Sequence, residues 1–286
     1  MSFNIVALVK QVPDTQNVGK DAMREDGTVN RSALPVIVNP EDLKSLEMAV
    51  RVKESIPDSV LTVISMGPPR AADVLREALY RGADRCILLS DAKFAGSDTL
   101  ATSYAISLAI KKLAQVDIVF AGRQAIDGDT AQVGPQIAEK LGIPQITYAE
   151  EIVSVSEGKI VVKRRLERGV ETVGSPLPVL VTVHGSAPDC RYRNAARILK
   201  YNKACTPEER SNASAFFVKY PYLEIKHWSA EDLEPDFNRL GITGSPTKVK
   251  NMENVVLSQK ESFTVADNET EISAMVGNLI NSHIID

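Results

Sequence analysis

The stretch from Gly122 to Gly134 brings together the residue types that hold a phosphate-bearing ligand. It reads G-R-Q-A-I-D-G-D-T-A-Q-V-G, and an apolar run, Val116–Ala121, leads into it. A run that is apolar on both pleat faces predicts a strand buried on both sides of a parallel sheet. The stretch then lies at the carboxyl end of a strand, where open α/β sheets bind ligands. Its glycines let backbone approach a ligand, and its polar side chains supply donors.

A helix is predicted directly after this loop. Val133 and Ile137 lie at helical spacing, and Gly142 can end the helix in a left-handed conformation. Thr130 or Asp129 could cap the amino end, where free N–H groups would face a phosphate or pyrophosphate. On spacing alone, nucleotide binding and an ordinary capped loop are equally open.

The rest of the chain alternates strands and helices. Predicted strands occupy residues 3–9, 60–65, 86–89, 116–121 and 179–183. Predicted helices begin near residues 40, 71, 97 and 133. This alternation predicts an α/β fold with a doubly wound, mostly parallel sheet, in which residues 179–183 form the last strand. A hairpin of strands 146–155 and 159–166 is inserted before that strand.

Two parts of the chain are predicted from composition. Residues 1–200 form the α/β domain that carries the candidate nucleotide-binding loop, and residues 201–286 form an extended C-terminal arm. The arm is too poor in apolar residues to hold a core alone, so we expect it to pack on a partner subunit. The polar excursion after Pro13, through Gly27 and Asn30, is unusually long for a compact domain and hints at function.

The helix that begins near residue 40 has a favourable amino end. Asn39 can be its N-cap, Pro40 suits the first helical position, and Glu41 and Asp42 complement the helix dipole. Because the two acids disfavour phosphate there, Asn39 would serve an adenosine or ribose if it serves a ligand.

Composition and motifs exclude several classes of protein. The net charge of −4 gives no support for binding nucleic acid or an anionic membrane, and no run of eighteen apolar residues predicts membrane insertion. We therefore expect a soluble protein that is cytoplasmic or, after removal of a transit peptide, organellar. The three cysteines and three histidines are isolated, which predicts no metal site. Dinucleotide G-x-G-x-x-G, P-loop and G-x-S-x-G motifs are absent from the sequence. Any electrons must therefore be carried by an organic cofactor.

Several motifs in the same order resemble the β (small) subunit of electron transfer flavoproteins, and more closely the FixA-like, electron-bifurcating branch. The resemblance runs along nearly the whole chain. It rests on Val6–Val12, Asn39-Pro40, Gly122–Gly134, Val162–Thr172, Pro176-Leu177-Pro178 and Gly244-Ser245-Pro246-Thr247.

The resemblance implies an adenine-nucleotide α-hydrolase-like, Rossmann-like sheet and a heterodimer with an α subunit that carries its own FAD. In the ordinary branch the β subunit holds a structural AMP and scaffolds the partner's flavin. In the bifurcating branch the same pocket holds FAD, which takes a hydride from NADH. One electron then goes to ferredoxin or flavodoxin, and the other goes through the α-subunit FAD to an acyl-CoA dehydrogenase or reductase. Whether the chain is an enzyme is left open, since the activity belongs to the complex.

Within the loop, Gly128 and Ala131 resemble the bifurcating version. Their small side chains leave room for a pyrophosphate and Thr130 offers it a hydroxyl, which favours FAD over AMP. Glu41 departs from the family, in which an aromatic residue is frequent at that position. A stand-alone nucleotide-binding module of the universal-stress type is disfavoured, because such modules end with their sheet.

The resemblance also assigns roles to residues. The cofactor-binding set is Leu8, Lys10, Asn39, Met66, Gly122, Arg123, Gln124, Ala125, Asp127, Gly128, Asp129, Thr130, Ala131, Gln132, Val133 and Gly134. Leu8, Lys10, Asn39 and Met66 match the adenosine end, whereas Lys10, Gln11 and Arg123 would tune the flavin ring. Ala195, Ala196, Ile198 and Leu199 would dock the dehydrogenase; the alternative for that segment is a plain surface helix.

Overall fold

The computed structural model describes residues 2–14, 35–156, 158–247 and 264–285. The chain divides into two compact units, residues 1–249 and 250–286. The long excursion predicted after Pro13 falls on residues 15–34 and so lies outside the described residues.

The first unit is built on a mixed sheet with strand order β11-β5-β4-β1-β6-β10-β7-β8-β9, beside a small antiparallel β2–β3 pair. The strands are β1 (Asn4–Leu8), β2 (Gln11–Pro13), β3 (Val36–Val38), β4 (Val60–Met66), β5 (Arg85–Leu89), β6 (Ile118–Gly122), β7 (Gln145–Ser156), β8 (Lys159–Leu166), β9 (Gly169–Pro176), β10 (Val179–Val183) and β11 (Ile225–Trp228). From β11 to β7 all neighbours are parallel, and β8 and β9 continue the sheet antiparallel. The predicted α/β fold class is therefore confirmed.

Helices cover both faces of the parallel strands. The helices that do so are α1 (Pro40–Ser55), α2 (Ala72–Arg81), α3 (Thr99–Lys112) and α4 (Val133–Leu141). Two shorter helices, α5 (Ala195–Tyr201) and α6 (Ala213–Lys219), follow; α5 packs on α2, and α6 packs on the turns at residues 207–209 and 221–223. Apolar side chains of α1 and α2 share one core cluster with the sheet, and those of α3 and α4 share the other. Burial on both faces explains why the inner strands read as continuous apolar runs. The helix predicted after the loop is confirmed, with Gly142 in the left-handed region at φ 68°.

The inserted hairpin is confirmed as β7 and β8, but the sequence analysis missed its third strand. β9 pairs with β8 from Lys159↔Pro176 to Leu166↔Gly169. Two basic residues of β8 form ion pairs: Arg164 contacts Glu171 at 3.4 Å, and Arg165 contacts Glu150 at 2.5 Å.

The prediction that residues 179–183 form the last strand is wrong. Ile225–Trp228 returns to the sheet as β11 and pairs in parallel with β5, from Ile225↔Cys86 to Trp228↔Leu89. Ile225 is fully buried, so this four-residue strand covers the edge of the sheet. Only Ile225 and Trp228 of its four residues are apolar, so β11 gives too weak a periodic signal to be predicted from the sequence.

The second unit contains helix α7 (Glu269–Asn281), whose N-cap Asn268 accepts a hydrogen bond from the N–H of Glu271 at 2.9 Å. Ile272, Val276 and Ile280 repeat every four residues and are exposed. Packing of residues 201–286 on a partner subunit stays a prediction. No helix in the described part of the chain combines the length and apolar composition needed to cross a membrane.

Candidate functional site

The Gly122–Gly134 loop leaves the sheet where its strand order reverses. From β1 the chain moves outward through β4 to β5, and it then returns to the other side of β1 as β6. The carboxyl ends of β1 and β6 therefore diverge into a crevice, which is the usual ligand position in open α/β sheets. We call Gly122–Ile126 the inner half of the loop and Asp127–Gln132 the outer half.

Two glycines fix the two ends of this loop against the sheet and its helices. A Cβ on Gly122 would lie 2.3 Å from Oδ1 of Asp42, and a Cβ on Gly134 would lie 2.6 Å from Cγ2 of Thr182. Gly122 thus lets α1 approach β6, and Gly134 lets α4 approach β10. These two glycines serve packing, whereas the sequence analysis had assigned them to ligand contact; any direct contact stays a prediction.

The first turn of α1 holds the inner half. Asn39 donates from Nδ2 to the carbonyl of Gln124 at 2.8 Å and accepts from the N–H of Ile126 at 3.2 Å. Asn39 occupies the predicted N-cap position, but its side chain bonds the loop and makes no cap hydrogen bond. It is fully buried, so it acts first as a support for the loop. Its contact with adenosine or ribose stays a prediction.

Glu41 and Asp42 extend the same support. Glu41 accepts from the N–H of Gln124 at 3.0 Å and from Nη2 of Arg123 at 2.8 Å. Asp42 accepts from the N–H groups of Lys10 at 2.8 Å and Gly122 at 3.2 Å, which joins the ends of β1 and β6. Burial raises the pKa of Asp42 to about 7, although hydrogen bonds from Asn39, Lys10 and Gly122 act in the opposite direction. These roles were not predicted, because the only signal in the sequence is a pair of acids at a helix start.

The outer half has an unusual backbone. Asp129 and Ala131 both have positive φ, at 48° and 52°. The helix begins with Gln132 as N-cap, so the prediction that Thr130 or Asp129 caps it is wrong. The carboxylate of Asp129 instead accepts from Nε2 of Gln124 at 2.8 Å. The positive φ angles of Asp129 and Ala131 turn the chain before α4, so the side chains of Asp129 and Thr130 do not reach the capping position.

Consecutive backbone N–H groups at the start of α4 are free to bind a ligand. Within the described residues, no acceptor is found for the N–H groups of Thr130, Ala131, Gln132, Val133 and Gly134. Alternation of positive and negative φ, here at Ala131 and Gln132, is typical of the backbone nests that bind anions. The helix dipole of α4 adds positive potential at the same place. This arrangement fits a phosphate or diphosphate.

Two further contacts hold the outer half at its sides. Lys10 pairs with Asp127 at 2.7 Å, and the hydroxyl of Thr99 donates to Gln132 at 2.8 Å. Thr99 is the first residue of α3, and it was not among the predicted site residues. Its neighbour Asp98 caps α3 and also accepts from the hydroxyl of Thr247 at 2.6 Å.

The remaining predicted cofactor residues are at the same edge of the sheet. Leu8 and Met66 end β1 and β4, and both pack in the core cluster that includes α3 and α4. Leu8 and Met66 therefore lie on the same face of the sheet as α4, whose first N–H groups have no acceptor among the described residues. Gln11 donates from Nε2 to the carbonyl of Arg70 at 3.1 Å, in the turn that follows β4.

The predicted docking residues lie elsewhere. Helix α5 contacts the last turn of α2, where Arg197 donates to the carbonyl of Leu79 at 2.6 Å. Because α2 runs back to the start of β5, that turn lies at the amino edge of the sheet, opposite the loop. Ala195, Ala196 and Leu199 are exposed there, and Ile198 is partly buried. The segment is thus helical and accessible, and its docking role stays a prediction.

A mostly parallel sheet with a loop of unpaired N–H groups at its switch point is the arrangement typical of nucleotide-binding α/β proteins. The sequence matches the electron transfer flavoprotein domain over residues 26–207, and the chain belongs to the electron transfer flavoprotein family. In the described residues no group of three or more His, Cys, Asp or Glu side chains is placed to hold a metal ion.

Individual relatives agree with this assignment. The chain is 47% identical over 247 residues to the electron transfer flavoprotein subunit beta of Thermoanaerobacterium thermosaccharolyticum, which covers 86% of each protein. It is 40% identical to subunit CarD of the caffeyl-CoA reductase-Etf complex of Acetobacterium woodii, again over 86% of each. It is 41% identical to protein FixA of Azorhizobium caulinodans, over 87% of this chain and 83% of that one. The chain is accordingly a β-type subunit whose role is electron transfer.

Proposed function

We propose that the Gly122–Gly134 loop binds the diphosphate of FAD and that the chain is the small subunit of an electron-bifurcating flavoprotein heterodimer. The observation that carries this proposal is the row of N–H groups from Thr130 to Gly134, for which the described residues offer no acceptor. A diphosphate spans more of such a row than a single phosphate does. The hydroxyl of Thr130 adds a donor beside it.

Space in the outer half favours FAD over AMP. No atom lies within 4 Å of a Cβ placed on Gly128, so the backbone there is open to a larger ligand. Ala131 adds only a methyl group next to the free N–H groups. The alternative is a non-bifurcating subunit that holds AMP with the same loop and scaffolds the partner's flavin.

Charges around the crevice suit a flavin with a diphosphate tail. Lys10 is about half exposed and reaches over the loop to Asp127, and Arg123 emerges from the inner half beside Glu41. Apolar Leu8 and Met66 offer surface to the adenine end. When bound, FAD supplies the capacity to accept a hydride from NADH and to pass its electrons on singly. Lys10, Gln11 and Arg123 would provide positive charge or N–H groups near the ring, which favour an anionic reduced flavin.

The proposed partners follow from the family. They are an α subunit with its own FAD, a ferredoxin or flavodoxin, and an acyl-CoA dehydrogenase or reductase in the cytoplasm. Relatives named as subunits of caffeyl-CoA and acryloyl-CoA reductase systems support a reductase of an unsaturated acyl-CoA. Exposed Leu199 with its neighbours on α5 would dock that enzyme, and residues 201–286 with the apolar stripe of α7 would pack on the α subunit.

The test is a count of nucleotides in the purified heterodimer. The complex is produced with its α subunit and denatured, and the released FAD and AMP are quantified against protein. Two FAD per heterodimer support the proposal, whereas one FAD with one AMP supports the alternative. A heterodimer with one FAD and no second nucleotide would contradict both.

A second test concerns Arg123. The Arg123→Ala variant removes a cation at the start of the loop, so the heterodimer should retain less of the β-subunit FAD on gel filtration. Unchanged flavin content would refute a role for this side chain in cofactor binding.

A further inference from the structure

Glu41 lies at the start of α1 and directs its carboxylate at the loop. Its Oε1 accepts from Nη2 of Arg123 at 2.8 Å, and its Oε2 accepts from Nε of Arg123 at 3.3 Å and from the N–H of Gln124 at 3.0 Å. The side chain of Glu41 is 13% exposed and that of Arg123 is 29% exposed. One carboxylate therefore fixes both the side chain and the backbone at the point where the loop leaves β6.

The ordinary role of an acid in the first helical turn is to complement the helix dipole. Glu41 is placed for that role, but its two oxygens bond to residues 123 and 124 of the loop. The α1 N-terminus also lies close to the sheet here, because the carbonyl carbon of Glu41 would be 2.9 Å from a Cβ on Gly122. This close approach brings the carboxylate within reach of Arg123.

The two-point contact orients the guanidinium group. Carboxylate and guanidinium match as parallel forks, which fixes the plane of the arginine as well as its position. Nη1 of Arg123 has no acceptor among the described residues, so it remains available to a ligand. Without the carboxylate, this long side chain would have to be ordered when a ligand binds, at a cost in conformational entropy.

We propose that Glu41 is a positioning residue that holds Arg123 and Gln124 in the orientation needed to bind the nucleotide cofactor. It acts through Arg123 and does not itself touch the ligand. This inference rests on the proposed function, because it requires that the loop bind FAD or AMP.

The test measures cofactor affinity in the heterodimer. Wild type and Glu41→Gln are stripped of nucleotide and titrated with FAD and, separately, with AMP. The amide of Gln can still accept from Gln124, but it lacks the charge that orients Arg123. The affinity should fall about tenfold, as for loss of one charge-assisted interaction. The matched control is Asp73→Asn, because Asp73 is also an acid in the first turn of a helix and pairs with an arginine, Arg76. The heterodimer with this substitution should bind the cofactor with wild-type affinity.

A double-mutant cycle separates positioning from a general effect on the fold. Arg123→Gln and the double variant Glu41→Gln/Arg123→Gln should bind the cofactor equally, because the guanidinium is absent from both and Gln at position 41 still accepts from the N–H of Gln124. Fully additive effects of the two substitutions, or wild-type affinity in Glu41→Gln, would overturn the inference while leaving the proposed function intact. A wild-type complex that takes neither FAD nor AMP at this chain would overturn both. Melting temperatures of the four proteins report any loss of folding alongside.

Discussion

The inner and outer halves of the loop follow one another in the chain and are held in different ways. The inner half is bonded through its backbone to Asn39, Glu41 and Asp42, three buried or largely buried side chains of one helix start. The outer half is held at its sides by contacts between side chains, such as the Lys10–Asp127 pair, and it is largely exposed. The inner half is therefore fixed to α1, whereas the outer half is the exposed part of the loop.

The two halves also differ in how many of their backbone N–H groups are available to a ligand. In the inner half, the N–H groups of Gly122, Arg123, Gln124 and Ile126 have acceptors within the protein. From Thr130 onward, the described residues provide none. The outer half is largely exposed, so under the proposed function a bound anion would take the place of water at these N–H groups.

The largest expected effect concerns Asp42, which lies under the inner half. Its pKa is raised to about 7 by burial. Between about pH 4 and pH 7 the unfolded chain releases this proton and the folded chain keeps it. The contribution of Asp42 to the free energy of unfolding should therefore fall as pH rises, by at most about 1.4 kcal/mol per pH unit and roughly 4 kcal/mol in total. Above pH 7 it should stay constant.

Urea unfolding of wild type and Asp42→Asn from pH 4 to pH 8 checks this. Other titrating groups are common to both proteins, so the difference between their unfolding free energies isolates Asp42. That difference should change with pH below 7 and level off above it. A difference that is constant over the whole range would show that Asp42 is ionised in the folded protein throughout.

The next effect compares two glycines. Gly122→Ala would place a Cβ 2.3 Å from Oδ1 of Asp42 and 2.9 Å from backbone atoms of α1, so α1 or β6 must shift. We expect a loss of about 2–3 kcal/mol in the free energy of unfolding. Urea unfolding at constant protein concentration measures it. A loss below about 0.5 kcal/mol would show that the inner half is less rigid than its contacts indicate.

Gly128→Ala is the counterpart in the outer half. A Cβ there has no atom within 4 Å and the φ of Gly128 is not in the positive region, so the substitution should raise the free energy of unfolding by about 0.4–1 kcal/mol, because alanine lowers the entropy of the unfolded chain. If the open space is for the cofactor, FAD affinity should nevertheless fall, by roughly tenfold for one badly placed methyl group. Titration of the stripped heterodimer with FAD measures this. Unchanged affinity would place the ligand away from Gly128.

Much of this contrast could not be read from the sequence. The strand, the loop and α4 were predictable, because apolar runs and helical spacing are local signals, and Gly142 marked the end of α4. The sequence also indicated a phosphate-binding position, since parallel strands followed by helices imply one. The family resemblance then added Leu8, Lys10 and Met66, which the fold does place at the same edge of the sheet.

Contacts between residues that are distant in the sequence could not be predicted from it. Asn39, Glu41 and Asp42 read as an ordinary helix start, and nothing local shows that their side chains turn to a loop about 80 residues away. Ala131 gave no sign of a positive φ, because alanine rarely adopts one and tertiary contacts decide where it does. The strand β11 was missed for a related reason, because its pairing with β5 joins residues that are 139 positions apart in the chain, such as Ile225 and Cys86.

The smallest expected effect uses one substitution in both halves. Ala131 has a φ of 52°, a conformation that costs an alanine about 1 kcal/mol and a glycine nothing. Glycine also adds entropy to the unfolded chain, which offsets part of this relief, so Ala131→Gly should stabilise the protein by at most about 0.5 kcal/mol. Ala125 in the inner half is not among the residues with positive φ. Ala125→Gly should destabilise by a similar amount, because glycine only adds entropy to the unfolded chain there.

Opposite signs for these two variants in urea unfolding would confirm that strain is confined to the outer half. Titration with FAD then measures whether Ala131→Gly also changes cofactor affinity. If the strained backbone presents the N–H groups of residues 130–134 in a fixed array, Ala131→Gly loosens that array, and affinity should fall even though stability rises. A variant that is both more stable and equally tight would show that the positive φ at Ala131 is incidental to binding.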